Sequence, residues 1–264
     1  MFVRIEQASD PRLAPFRDVG SPAALEAAGL FVAEGRIVVQ RLIEGARFPV
    51  AAMLVTPPAR DALSGVLGPV SAPVYVCDQS ILNAITGFNF HRGCLALARR
   101  LASTASLDAF AGASRLLALE AVGNPDNIGG LFRTASALAA DGVVLDASSG
   151  DPLYRKAIRT SMAATLRVPF TRTGDLRATL AALRSNGFRL VALTPAAEAQ
   201  SIDELAEPRH DRLVLMLGSE GAGLTAGTLD LADIRARIPI DPRADSLNVV
   251  VAAAIALHAL RTPT

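Results

Sequence analysis

Lysine is almost missing from this chain. Lys156 is the single one among 26 basic residues, and arginine supplies the rest. A GC-rich coding sequence explains that bias as readily as function does. Excess charge is missing too: a net charge of +1 leaves no global footprint for nucleic acid, although a local basic patch suffices to hold phosphate. Cysteine is scarce. Cys77 and Cys94 are too few and too scattered for a disulfide framework or a zinc site, so each reads as a small hydrophobe in a reducing compartment, and no metal is expected. The apolar run Leu247–Leu260 falls short of the roughly 20 residues that a bilayer requires. Arg4, Glu6, Asp10 and Arg12 break up any secretory leader. The chain therefore reads as cytosolic (cytoplasmic), with no membrane partner. What it has in quantity is apolar side chains, 51% of residues against 19% charged, which points to folded cores rather than disorder. At 264 residues there is room for one large domain or two modest ones.

Periodicity divides the chain in two. Residues 1–33 read as an arm and a first helix, punctuated by Pro11, Pro15 and Pro22. Helix and strand signals then alternate: helix Arg36–Glu44, strand Ala52–Val55, helix Arg60–Val66, strand Val74–Cys77, helix Ser80–Ile85 and strand Cys94–Leu97. The small, polar stretch Arg99–Ser114 reads as a linker. This gives an N-terminal domain at 1–100, a linker at 101–114 and a second domain at 115–264. In the second domain, strands are expected at Leu116–Val122, Gly142–Leu145, Arg167–Thr171, Arg189–Leu193, Leu213–Leu217 and Arg237–Ile240. Several are unbroken aliphatic runs with helical patterns between them, as in an α/β parallel sheet covered on both faces. Ligands of such sheets bind beyond the carboxyl ends of the strands.

Three loops sit at such ends. The first, Gly123–Thr134, offers Asp126 or Asn127 as the cap of a helix running to Ala140. Its core stripe is Ile128, Leu131, Phe132, Ala135, Leu138 and Ala139. Arg133 falls on the opposite face beside small residues, either a solvated side chain or a guanidinium that a phosphate can approach. The second is Leu217-Gly-Ser-Glu-Gly-Ala-Gly-Leu224, which lacks the lysine of a Walker loop. Its amides suit an adenosine or a carboxylate, and Glu220 is either a helix-entry charge or an acceptor in the site. The third is Ile238–Val249, where Ser246 and Asn248 precede a helix that is apolar all round its circumference. A helix of that kind is buried on every side, here by its own sheet and by a second subunit. His258 on it reads as a peripheral core histidine. Arg155, Lys156 and Arg159 beside Tyr154 suit phosphate contacts or a solvated helix face. Phe88–Gly93, with His91 and Arg92 between aromatics, reads as a base-stacking surface or a structured turn.

Taken in order, N-x-G-x-x-x-R (Asn127, Gly129, Arg133), L-G-S-E-G-x-G-L (217–224) and I-P-x-x-x-x-x-x-S-L-N-V (238–249) resemble the three motifs of the SpoU/TrmH family of RNA ribose 2′-O-methyltransferases. The likeness covers roughly residues 115–262. Phe31–Arg36 and His91–Gly93 are similar to parts of the small α/β RNA-binding domain that precedes the catalytic part in many members.

The resemblance implies a C-terminal trefoil knot and S-adenosylmethionine held there at Thr194, Gly218, Ile238 and Leu247. It implies Arg133 at the catalytic position, with Asn127, Glu220, Ser246 and Asn248 around it, a tRNA or rRNA substrate, and a homodimer packed through the C-terminal helix. Two positions depart from the family pattern: Val250 stands where members carry a serine, and Ala163 where a glycine is frequent. Arginine offers donors and no acceptor, so Arg133 is expected to clamp phosphate and steady a developing alkoxide, with RNA phosphate or Ser246 relaying the proton. Two other readings stand beside this one. A family member that binds RNA without methylating it would draw on Val250. A nicotinamide-dependent dehydrogenase lacks its early G-x-G-x-x-G here.

Overall fold

A computed structural model describes residues 2–17, 19–86, 92–101, 107–206 and 212–260. Its contacts divide into two units: residues 1–102 with 153–167, and residues 103–152 with 168–264.

The first unit comprises β1 (Phe2–Arg4), α1 (Pro22–Ala27), β2 (Leu30–Glu34), α2 (Arg36–Gly45), β3 (Val50–Val55), α3 (Pro57–Ala62), α4 (Ser64–Leu67), β4 (Val74–Val76), α5 (Gln79–Thr86) and β5 (Cys94–Arg99). The strands form a mixed sheet in the order β1-β4-β3-β5-β2. β1 and β3 run parallel to β4, while β5 runs antiparallel to β3 and β2. β1 and β2 were not expected in the arm, where prolines and a helix signal dominate the pattern. β2 pairs through all five residues with β5, and Phe31, Val32 and Ala33 are buried. Leu13 and Phe16 cover one face of this sheet with Leu54, Leu82, Leu95 and Leu97.

The second unit follows with β6 (Arg115–Leu119), α6 (Pro125–Ala137) and β7 (Gly142–Asp146). The chain next forms α7 (Arg155–Thr160), which groups with the first unit. It resumes with β8 (Phe170–Thr173), α8 (Leu176–Ser185), β9 (Arg189–Leu193), β10 (Gln200–Ser201), β11 (Leu213–Leu217), α9 (Ala226–Leu229), β12 (Ile234–Arg237) and α10 (Val249–Ala259). All seven strands pair in parallel, in the order β10-β12-β9-β11-β6-β7-β8. The aliphatic runs of β6, β9 and β11 lie in its middle, and β11 is buried along its whole length. Three strands depart from their expected places, and the first of them, β6, stops at Leu119 instead of running to Val122. The sheet ends at Arg237, so 238–240 forms loop, and Phe170–Thr173 pairs with β7 three residues later than expected. Aliphatic character carried the misplacement at 238–240, because Ile238 and Ile240 face a cavity instead of a sheet.

Helix α6 is capped by Asn124, whose side chain accepts from the Asp126 amide, with Pro125 at the first helical position. This corrects the expected cap at Asp126 or Asn127. Proline's fixed φ suits the first turn and selects the residue before it as cap, which frees the Asn127 side chain. Ile128, Leu131, Phe132 and Ala135 are fully buried as the stripe requires. The helix stops before Ala139, which turns left-handed at φ +54°.

Within the chain α10 buries one face, through Ala253, Ala256 and Leu257, and leaves Val251 and Ile255 exposed on the other. No helix among the described residues is long and apolar enough to cross a membrane.

Candidate functional site

The carboxyl ends of β9, β11 and β12 open onto a cavity of about 510 Å³ in the second unit. Thr194, Gly218, Ile238 and Leu247, the four positions expected to hold a cofactor, all line it. Glu220 and Ser246 line it as well, and so do Asp245 and Ile240, which the motifs did not single out. Leu193, Leu217, Ile238 and Leu247 give apolar walls, and the backbone of 218–223 supplies polar edges. Two carboxylates, Glu220 and Asp245, face this space, and no basic side chain among the described residues lines it.

The 217–224 loop is folded tightly on itself. The Gly223 amide donates to the Ser219 carbonyl at 3.0 Å, and Gly223 sits at φ +68°. A Cβ on Gly218 would fall 2.0 Å from the Gly223 carbonyl carbon, so the turn closes only with glycine at that position. Beyond the loop, the Glu120 carboxylate accepts from the Thr225 amide at 2.8 Å and from the hydroxyls of Thr225 and Thr228. These bonds tie the loop's far end to the residue that follows β6.

Three of the predicted polar residues meet in one network. Asn127 Nδ2 donates to Glu220 Oε1 at 2.8 Å, and Asn248 Nδ2 donates to the same oxygen at 2.9 Å and to Asn127 Oδ1 at 3.1 Å. Asn248 also caps α10, its Oδ1 accepting from the Val250 amide. Asn127 is buried, whereas Glu220 and Asn248 are exposed. Of the two fates open to Glu220, acceptor is the one found.

Arg133 stands apart. It is exposed on α6, outside the cavity lining, and makes no hydrogen bond or ion pair among the described residues. Its donors are free for something external. One turn earlier, Gly130 lies under α10: a Cβ there would meet Val250 Cγ2 at 2.7 Å. Val250 thus packs on the helix bearing Arg133 and does not line the cavity. This close approach was invisible in the motifs, since only a folded chain brings 130 against 250.

Of the other candidates, Arg155 and Arg159 face the buried Glu34 at 3.5 and 3.7 Å, all within the first unit. Phe88 to His91 lie outside the described residues. Burial pushes the thiols of Cys77 and Cys94 up to about 11 and about 12. Among the described residues no group of three His, Cys, Asp or Glu is placed to hold a metal ion.

Residues 114–258 match the model of the SpoU rRNA methylase family. The chain is 40% identical over 254 residues to an uncharacterized tRNA/rRNA methyltransferase of Mycobacterium bovis, covering 94% of this chain and 88% of that one. It is 30% identical over 191 residues to a 23S rRNA (guanosine-2′-O-)-methyltransferase of Burkholderia sp, covering 71% and 76%. Among solved structures, a putative RNA methyltransferase of the TrmH family from Porphyromonas gingivalis superposes with a TM-score of 0.83 at 25% identity over 96% of this chain and 98% of that one. An AdoMet-bound rRNA methyltransferase from Sinorhizobium meliloti shares the fold with a TM-score of 0.83 at 22% identity over 98% and 97%. The family match spans more than half of the sequence and contains all three motif loops: this chain belongs to the SpoU rRNA methylase family.

Proposed function

We propose that this protein transfers a methyl group from S-adenosylmethionine to a ribose 2′-hydroxyl of tRNA or rRNA. The observation that carries this reading is the single cavity made by loops 217–224 and 238–249, joined to α6 through Asn127, Glu220 and Asn248. Its residues suit the cofactor: aliphatic walls for an adenosyl group, a glycine turn with no room for a Cβ, and two carboxylates with no basic neighbour among the described lining residues, for a ligand bearing a sulfonium. Thr194, Gly218, Ile238 and Leu247 would hold it. Once bound, it supplies an electrophilic methyl group.

The protein's own part is alignment and proton handling. Arg133, with donors and no acceptor, clamps the phosphate next to the target ribose and steadies the oxygen as its proton leaves. Ser246, exposed at the cavity edge, relays that proton or passes it to phosphate. Asn127, Glu220 and Asn248 set the distance between α6 and the cavity.

We further propose that the segment after β12 threads the catalytic unit as a trefoil knot, and that the exposed Val251 and Ile255 of α10 pack against a second copy of the chain. Residues 1–100 serve as the RNA-holding domain, 101–114 as the linker and 115–264, apart from the 153–167 segment that groups with the first unit, as the catalytic domain, acting in the cytoplasm. A non-methylating reading draws on Val250, which packs on Gly130 and does not line the cavity.

The test pairs cofactor calorimetry with mapping of 2′-O-methylation in total RNA from cells with and without the protein. A site that loses its methyl group is expected. Absence of any heat with S-adenosylmethionine, or an unchanged methylation map, rejects the proposal. Arg133→Lys is expected to keep cofactor affinity and lose at least about 100-fold in turnover.

A further inference from the structure

The first unit contains a second cleft, of about 530 Å³, which the methyl-transfer site does not use. Arg36, Ile37, Arg92, Arg159 and Met162 line it, and all belong to that unit. Two stretches distant in sequence converge here. The Gly35 amide donates to the Cys94 carbonyl at 3.0 Å, and a Cβ on Gly35 would sit 3.1 Å from Arg92 Cδ, so the Arg92 side chain lies across residue 35.

The charges in the cleft are unequal. Glu34 is buried, and its carboxylate faces Arg155 and Arg159. Arg36 and Arg92 are exposed and make no hydrogen bond or ion pair among the described residues. Two uncompensated guanidiniums beside one cavity favour an anion, and their planar forks fit phosphate oxygens.

The same cleft displays apolar side chains to solvent. Ile37 is 54% exposed and Met162 36%. Met162 and the following Ala163 sit at φ +51° and +64°, in the left-handed region that neither side chain favours. Arg41 donates to the Met162 carbonyl and fixes this turn. A methionine held out by a constrained backbone is a soft, polarisable surface for a flat ring.

We propose that this cleft holds one unpaired nucleotide of the RNA substrate, its phosphate taken by Arg36 and Arg92 and its base laid against Ile37 and Met162. A base can reach such a surface only when it is splayed out of its stack, so loops or single strands are selected over duplex. The inference rests on RNA being the substrate, and it deepens that reading by locating a contact outside the methyl-transfer cavity.

The experiment measures fluorescence anisotropy of the full chain with a labelled single-stranded RNA of about 12 nucleotides and with a duplex of equal length. Arg36→Gln/Arg92→Gln is expected to weaken single-strand binding about 10-fold and to reduce the slope of log K against log salt by about 1.4, two phosphate contacts at about 0.7 each. Met162→Ala is expected to weaken binding several-fold with the slope unchanged. Cofactor calorimetry and a thermal melt check that each variant is folded.

Wild-type affinity and slope in the folded double variant overturn the proposal, and so does a wild-type preference for the duplex. The methylation map of total RNA, read beside these binding data, separates the two claims. A methylation site lost with the protein, together with unaltered RNA binding in the variants, removes the cleft alone. Binding lost in the folded variants upholds the cleft even if the cellular methylation map is unchanged, a result that removes the methyl-transfer reading alone.

Discussion

Asn127 and Glu220 are 93 positions apart in the chain and meet at 2.8 Å, the amide of one donating to the carboxylate of the other. This bond joins the helix that carries Arg133 to the loop that forms the cavity wall. Its partners act as one device, so their removal should not add. Asn127→Ala and Glu220→Ala are each expected to lower kcat/KM by roughly 10- to 100-fold, as misplacement by about an ångström does. The double variant should lose little more than either single one. A double-mutant cycle on kcat/KM decides, and strictly additive losses count against coupling.

Gly130 and Val250 form the apolar counterpart of that bond. Gly130→Ala puts a methyl group 2.7 Å from Val250 Cγ2 and is expected to cost about 1–3 kcal/mol of stability. Adding Val250→Ala should recover much of that loss, because the obstacle is a side chain. Urea unfolding of the three variants measures the recovery. An equal loss with and without the second change would show that backbone, not Val250, fills the space.

Part of this cavity and its polar network was legible in the sequence, for a physical reason. The glycine-rich loop, the polar residues before the last helix and the aliphatic run of β11 answer to turn, helix start and buried strand, although the capping bond of Asn248 itself was not foreseen. Local requirements leave local patterns. Contacts across the fold leave none, so Gly130 under Val250 and Asp245 in the cavity went unread. Asn124, Asp126 and Asn127 all qualify as caps by type, and the choice depended on Pro125. β2 was hidden because its buried residues follow a proline-marked helix closely, and because its partner strand lies about 60 residues later.

Ala163 illustrates a departure whose cost is in the backbone. It is fully buried at φ +64°, where a Cβ is disfavoured. Ala163→Gly is expected to raise stability by about 0.5–1 kcal/mol, the relief at this position exceeding the added freedom of the unfolded chain. Equilibrium denaturation measures it. A destabilised variant would mean that packing of the methyl group outweighs the strain.

The two thiols give a pH dependence of definite sign. Burial raises Cys77 to about 11 and Cys94 to about 12, so both stay protonated in the folded chain while the unfolded chain ionises near pH 8.5. Their contribution is whole below that pH and is lost as pH rises toward the folded values. At pH 10 the loss is about 1–2 kcal/mol per thiol relative to pH 7. A Cys77→Ala/Cys94→Ala variant should show a correspondingly flatter fall in urea midpoint above pH 8. In the folded wild type, neither thiol should react with an alkylating agent at pH 8, and rapid labelling would contradict the burial.

Asn248 is asked for both ends of its amide at once. The oxygen serves the first turn of α10, and the nitrogen serves Asn127 and Glu220. An aspartate would keep the oxygen and set a second anion within 3 Å of Glu220. A leucine would keep the volume and abandon both duties. Only a carboxamide turned one way round satisfies its neighbours on either side, so any force that frays the last helix also loosens the grip on the cavity's acid.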